Sequence, residues 1–247
     1  MTSTPLVSII TSVLNDERGL SDTLRNIPNF NYAPIEYIVI DGGSTDSTLE
    51  VIRHAGGTIS KWISEPDQGI YDAWNKGVRL ATGQYVAFLG AGDTYVSGGL
   101  EKLVACALAN PDADFISSKL AIVCNGRIKR VLGDAWQWKI FRRYMNTVHP
   151  GSLHSRRLFD SYGEFDSSYR IAGDYEFLLR PREALKTAYV GEITVNMAAG
   201  GVSYTGYRVF YETEAAKIKN RAVTPWIARI DRYIAQFKRW VRRNIID

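Results

Sequence analysis

The chain of 247 residues has almost no cysteine, with only Cys106 and Cys124. Two such thiols supply neither a disulfide framework nor zinc-ligand spacing, and a reduced, cytoplasmic setting is the simplest reading. Long apolar runs are also missing, and nothing approaches the roughly 20 residues that a membrane span needs. Met1-Thr2-Ser3-Thr4-Pro5 lacks the basic and apolar regions of a secretory signal. No G-x-G-x-x-G follows the first apolar stretch, where Ser12-Val13-Leu14-Asn15 stands instead. No G-x-x-x-x-G-K-[ST] occurs either, so both the dinucleotide fingerprint and the P-loop are excluded. Surplus positive charge is absent from most of the chain. Of the formal net charge of +4, residues 221–247 carry a local excess of five, which leaves the rest near −1. The basic pI therefore describes a tail, and a nucleic-acid partner is not expected.

What is present is an alternation of strands and helices. Leu6–Leu14, Ile35–Ile40, Lys61–Ser64, Gln84–Leu89 and Ala113–Ser118 read as strands. Gly19–Ile27, a segment capped by Ser44–Ser47 and running to about His54, Ile70–Ala81 and Leu100–Leu108 read as the helices between them. This order predicts βαβ units and an α/β fold, a Rossmann-type doubly wound, mostly parallel sheet. Beyond residue 119 the pattern weakens. A hairpin around Asn125-Gly126 is expected over 120–131, and an aromatic, basic surface segment over 133–146. A short helix is expected over 174–180, a strand over 188–195, and helices over 207–220 and 226–243.

Two apolar strands run straight into acids. Ile35–Ile40 leads into Asp41-Gly42-Gly43-Ser44-Thr45-Asp46, and Tyr85–Leu89 into Gly90-Ala91-Gly92-Asp93. Ligands of open α/β sheets lie outside the carboxyl ends of the strands, and a carboxylate placed there costs packing but serves a ligand. Asp41 suits a nucleotide-base N–H, although Asp41 and Asp46 also suit the cap of the next helix. Asp93 suits a divalent ion on a diphosphate, or a plain turn. Residues 64–77 form a dense polar strand-to-helix junction whose acids would face a sugar, or else cap a helix. Asp174 stands where a helix begins, a place that stabilises its charged form and suits a general base, or a simple N-cap.

Together, Val7–Thr11, Ile38–Asp46, Gly69–Gly77, Phe88–Asp93 and Tyr169–Glu176 resemble a family 2 glycosyltransferase of the GT-A fold. The similarity is to bacterial exopolysaccharide, colanic-acid-type or O-antigen enzymes and spans about residues 6–180. The resemblance implies inverting transfer from a nucleotide sugar, commonly UDP-linked, to a glycan or polyprenyl-diphosphate-linked acceptor, with Mn²⁺ or Mg²⁺ as cofactor. It implies that Asp41 recognises the base, with Ser12, Asn15 and Glu17 lining the same pocket. Asp67 would lie near the nucleoside or donor sugar, with Lys76 and Gly92 also on the donor side. Asp93 would be the metal ligand and Asp174 the catalytic base, while His149 and Arg170 would touch the diphosphate or the acceptor. Two departures stand out: Leu14 replaces a frequent aromatic residue, and Gly92-Asp93 offers one carboxylate where the family often has two.

The resemblance also implies a catalytic domain over 1–220, with a nucleotide-sugar half to about 118 and an acceptor half after it. Residues 221–247 would form a basic amphipathic helix, with Trp226, Ile230, Tyr233, Ile234, Phe237, Trp240, Val241 and Ile245 on one face. Such a helix fits an anionic membrane surface on the inner face of the cytoplasmic membrane, its own domain, or a second subunit. Two rival functions are a sugar nucleotidyltransferase, for which Asn15–Arg18 has too few glycines, and a sugar-nucleotide-binding pseudoenzyme or partner subunit.

Overall fold

The computed structural model describes residues 4–200, 206–242 and 244. Its sheet starts from four short strands, β1 (Val7–Val13), β2 (Ile35–Asp41), β3 (Lys61–Ser64) and β4 (Tyr85–Phe88), of which β1, β2 and β4 are largely buried. They lie in the order β3-β2-β1-β4, all in parallel. The helices that cross between them are α1 (Glu17–Asn26), α2 (Thr48–His54) and α3 (Ile70–Leu80). Ile9 and Val39 face one core while Ile10, Ile38 and Ile40 face another, as strands covered on both sides require.

The second half is mixed. After β5 (Thr94–Tyr95) and α4 (Gly99–Ala109) come β6 (Phe115–Cys124), β7 (Arg127–Leu132) and the short helix α5 (Trp138–Phe141). They are followed by β8 (Leu153–Ser155), α6 (Arg156–Tyr162), α7 (Gly173–Leu179) and β9 (Thr187–Ala198). The sheet continues β4-β8-β6-β9-β5, with β6 and β9 parallel and β4–β8, β6–β8, β5–β9 and β6–β7 antiparallel. β6 joins the expected strand over 113–118 to the first arm of the expected hairpin, with an irregular register at Ser118–Leu120. Asn125 and Gly126, both with positive φ, make the hairpin turn.

The segment over 133–146 departs from the surface expectation. Phe141 is fully buried and packs on Tyr175, and Trp136 and Trp138 lie against the same core. Their rings close the core beneath α7 while Arg142, Arg143 and Tyr144 stay outside. α8 (Arg208–Lys219) packs on α7, and α9 (Pro225–Val241) packs on α8. Arg243, Ile245 and Asp247 of the expected tail helix lie outside the described residues. No helix among the described residues is long and apolar enough to cross a membrane.

Candidate active site

The carboxyl ends of β1, β2 and β3 carry three loops that are bonded to one another. At the end of β1, Asn15 adopts a positive φ of 51°. Its amide oxygen accepts the backbone N–H of Thr45 at 2.8 Å, and its own N–H donates to Ser44 Oγ at 2.7 Å. The neighbouring N–H of Glu17 donates to Asp46, which also accepts Thr48 N–H at 3.0 Å. Asp46 therefore satisfies the first N–H of α2, whose N-cap position is Ser47, while also tying α1 to the same loop.

Asp41 is completely buried, and Oδ2 accepts the Ser64 hydroxyl at 2.7 Å and the Ser44 N–H at 3.1 Å. Oδ1 has only a 3.3 Å contact with the Ser44 N–H. The carboxylate is thus fixed by the loops around it, with one oxygen weakly engaged. Gly42 is confined between two side chains: a Cβ there would stand 2.5 Å from Asp67 Oδ2 and 3.5 Å from Leu14 Cδ1. This close approach brings Asp67 and the exposed Leu14 beside Asp41. Asp67 itself accepts the Gly69 N–H at 2.8 Å. Lys76 is turned to the loop after β3, where its ammonium reaches Glu65 at 2.9 Å and the Pro66 carbonyl at 2.9 Å. It holds the loop that carries Asp67.

Asp174 comes from far along the chain to the same cluster. Its Oδ1 accepts the Tyr71 hydroxyl at 3.1 Å and the Tyr175 N–H at 2.8 Å. The Tyr71 ring lies so close to Gly173 that a Cβ would come within 2.8 Å of it. Burial pushes the Asp174 carboxyl up to about 6, against the lowering effect of these two donors. Just upstream, Arg170 lies across Gly69, its Nη1 2.5 Å from where a Cβ would be. A guanidinium thus stands beside the Asp67–Gly69 loop.

Two residues outside the sequence expectations build this arrangement. Tyr71 sits in the polar junction but carries no charge, and its link to Asp174 spans 103 residues. Glu212 of α8 accepts the N–H groups of Arg170, Ile171 and Ala172 at 3.0, 2.8 and 2.9 Å. Burial raises the Glu212 carboxyl, but these donors and Arg208 outweigh it and hold it below the usual range. No local sequence signal marks Glu212, because all its partners but Arg208 lie some 40 residues away.

Asp93 follows β4. Gly92, at φ +86°, donates its N–H to the Gly19 carbonyl and to Thr23 Oγ1, both at 2.9 Å. Asp93 Oδ1 accepts the Ala198 N–H at 3.0 Å, and burial, with no ion pair among the described residues, pushes the carboxyl up to about 7. Among the described residues no group of three or more His, Cys, Asp or Glu side chains is placed to hold a metal. A lone buried carboxylate still fits an ion that takes its other ligands from phosphate and water.

The remaining expectations meet other surroundings. Ser12 is half-buried on β1, where it pairs in register with Ile40, the residue before Asp41. His149 is 1% exposed and packs against both Trp74 and Phe88, with ring centroids 4.9 and 5.2 Å away, while those two rings also touch each other. Burial, reinforced by His154, holds its pKa well below the imidazole range. That is the setting of a neutral packing residue, and His149 takes no part in the function proposed below.

Residues 8–159 match the family described as Glycosyl transferase family 2. A PGL/p-HBAD biosynthesis glycosyltransferase of Mycobacterium bovis is 30% identical over 214 residues, covering 81% of this chain and 80% of the relative. An uncharacterised glycosyltransferase of Mycobacterium tuberculosis is 33% identical over 188 residues, 73% of this chain and 70% of the relative. Among solved structures, S. aureus TarS 1-349 in complex with UDP-GlcNAc superposes with a TM-score of 0.70 at 15% identity, over 85% of this chain and 66% of that one. This chain spans 39% of the longer TarS structure. The mannosyltransferase PcManGT from Pyrobaculum calidifontis, in complex with GDP-Man and Mn²⁺, gives 0.68 at 18% identity, over 94% of this chain and 70% of that one. The fold is therefore GT-A, and the chain belongs to glycosyl transferase family 2, a family of glycosyltransferases.

Proposed function

We propose that the chain moves a sugar from a UDP-linked donor to a hydroxyl of a glycan or lipid-linked acceptor in bacterial surface polysaccharide synthesis, with inversion at the anomeric carbon. The observation that carries this reading is Asp174, raised to about 6 and clamped through one oxygen by Tyr71 and the Tyr175 N–H. Its other oxygen is left to receive the acceptor proton. A base near this value is ionised at neutral pH yet basic enough to assist a hydroxyl. The hydroxyl oxygen forms the new bond to the anomeric carbon as the carbon–oxygen bond to the nucleoside diphosphate breaks.

The loops around Asp41 take the nucleotide, with Asp41 on the base, Ser12, Asn15 and Glu17 beside it, and Asp67 toward the ribose or sugar. Leu14 covers the base with less stacking area than an aromatic ring. Lys76 and Gly92 act by holding their loops. Arg170, which lies against Gly69 of the Asp67 loop, would meet the departing diphosphate. Asp93 would hold the divalent ion, Mn²⁺ or Mg²⁺, which when bound neutralises the leaving diphosphate. Support for a nucleotide-sugar donor and for a metal comes from the UDP-GlcNAc and GDP-Man/Mn²⁺ complexes of the structural neighbours.

The aromatic face of α9 supports a peripheral position on the inner face of the cytoplasmic membrane. Trp226 and Phe237 are 65% and 64% exposed, among basic residues. A second reading, a sugar-nucleotide-binding partner without turnover, is favoured by the single carboxylate of the Gly92-Asp93 turn. Transfer and donor hydrolysis measured with and without Mn²⁺ separate the two. Asp174→Asn should lower kcat by about 10²–10⁴-fold with nucleotide binding retained. Nucleotide binding with no turnover by the wild type on any acceptor would favour the partner reading.

A further inference from the structure

Helix α3 carries two aromatic rings on one side. Tyr71 and Trp74 are three residues apart, a spacing that puts them on one helix face, and their ring centroids lie 5.3 Å apart, edge to face. Tyr71 is the residue that bonds Asp174. Trp74 also touches Phe88, with centroids 4.7 Å apart. Phe88 is the last residue of β4, and the chain runs from it through Leu89 into Gly90–Asp93. Trp74 is thus one ring away from the base and one ring away from the strand end that leads to Asp93.

The indole is held firmly. Its ring packs on Phe88, His149 and Phe165. The adjacent Asn75 fixes the helix by exchanging two hydrogen bonds of 2.9 Å with the backbone of Phe165. Yet Trp74 is only half-buried. Its Nε1–H has no hydrogen-bond partner among the described residues and is open to solvent, unlike the sealed, unpartnered N–H of Trp136. A tryptophan with a packed body usually finds a partner for its N–H. Here an immobilised ring keeps that donor unused.

We propose that Trp74 belongs to the subsite of the transferred sugar and donates its indole N–H to one hydroxyl of that sugar. The inference rests on the glycosyl-transfer reading. In that reading the sugar bridges a diphosphate on the Asp93 side and an acceptor hydroxyl at Asp174, and Trp74 touches both flanks through Phe88 and Tyr71. A single fixed donor distinguishes sugars by whether they place a hydroxyl in its reach, so Trp74 is a specificity-determining residue. Its loss is felt by the sugar and not by the nucleotide, whose loops lie around Asp41.

Binding to the full chain is measured by calorimetry with Mn²⁺ present, using UDP, GDP, UDP-glucose, UDP-galactose, UDP-GlcNAc and GDP-mannose. Trp74→Phe keeps a ring in the packing and removes the N–H. It should weaken the sugar nucleotide that the wild type holds best by roughly three- to ten-fold, the worth of one neutral hydrogen bond, and leave the free nucleotide unchanged. Trp74→Met, a flexible apolar filler, should give the same split if the phenylalanine variant folds poorly. Among monodeoxy forms of that donor, one should bind the wild type more weakly by the same factor and bind Trp74→Phe no more weakly than the parent donor. Equal weakening of nucleotide and sugar nucleotide, or no weakening of either, would overturn the inference. Sugar-nucleotide binding that is indifferent to Trp74 leaves nucleotide-sugar transfer standing, whereas a wild type that binds none of the six compounds overturns both.

Discussion

The Tyr71 hydroxyl lies 3.1 Å from Asp174 Oδ1 and 2.7 Å from the Ile171 carbonyl. It has one proton for two acceptors. With Asp174 ionised, the proton serves the carboxylate. With Asp174 protonated, Tyr71 can donate to Ile171 and accept from the acid. The pair can therefore hold both states of a group that must gain and release a proton.

Tyr71→Phe removes this donor. The Asp174 carboxyl should rise above about 6, because the Tyr71 bond is one of the interactions that lowers it. Activity requires the ionised base, so kcat/KM of the wild type should fall as pH drops through about 6. In the variant the same limb should move to higher pH. Below that limb, the rate at a given pH should drop about ten-fold for each pH unit by which the limb has moved. A pH–rate profile with an unmoved limb counts against the pair.

Glu212→Ala should release three N–H groups of the loop before Asp174. Buried donors left without partners cost about 1–3 kcal/mol each unless water reaches them. The expected result is a kcat loss of about 10–100-fold, from a misplaced base, with little change in donor KM, and partial recovery in Glu212→Gln. Equal loss in kcat and in nucleotide affinity would instead mean general unfolding, which a melting curve would reveal.

Asp93→Asn should trade function for stability. The folded carboxyl is raised to about 7 by burial, so ionising it costs folding energy. That stability is fully present below the ordinary carboxylate range near 4 and is lost as pH rises through about 7. At pH 8 the variant should melt a few degrees above the wild type, while losing the stabilisation that Mn²⁺ gives the wild type in the presence of UDP. Equal Mn²⁺ shifts in both proteins would remove Asp93 as the ligand.

Phe237→Glu with Trp240→Glu should reduce binding to anionic vesicles at least ten-fold, because both rings leave the aqueous phase in the proposed membrane position. Co-sedimentation with phosphatidylglycerol vesicles reads this directly. Vesicle binding that the paired substitution leaves intact would assign the stripe to another contact.

The parallel half of the fold was legible because its strands are continuous apolar runs and its helices carry 3.6-residue periodicity. The expected boundaries over 35–40, 61–64 and 70–81 fall within a residue of β2, β3 and α3. The hairpin turn at Asn125-Gly126 was legible from its backbone chemistry. β5 and β8 were not, since two or three residues establish no period. The burial of Phe141 was hidden because its arginine-rich neighbours made the whole segment read as surface.

By itself, the sequence determined which residue types end the strands. Asp41, Asp93 and Asp174 each sit beside a glycine and Asp67 two residues before one, and that spacing is local. Tertiary structure alone decided which of them meet. Gly42 closes on Asp67, Arg170 lies across Gly69, Tyr71 reaches Asp174, and Glu212 ties the loop down. The same packing took His149 into an aromatic stack. The reason is physical: propensity and periodicity act over a few residues, whereas these contacts form only when parallel strands bring distant loops to one edge of the sheet.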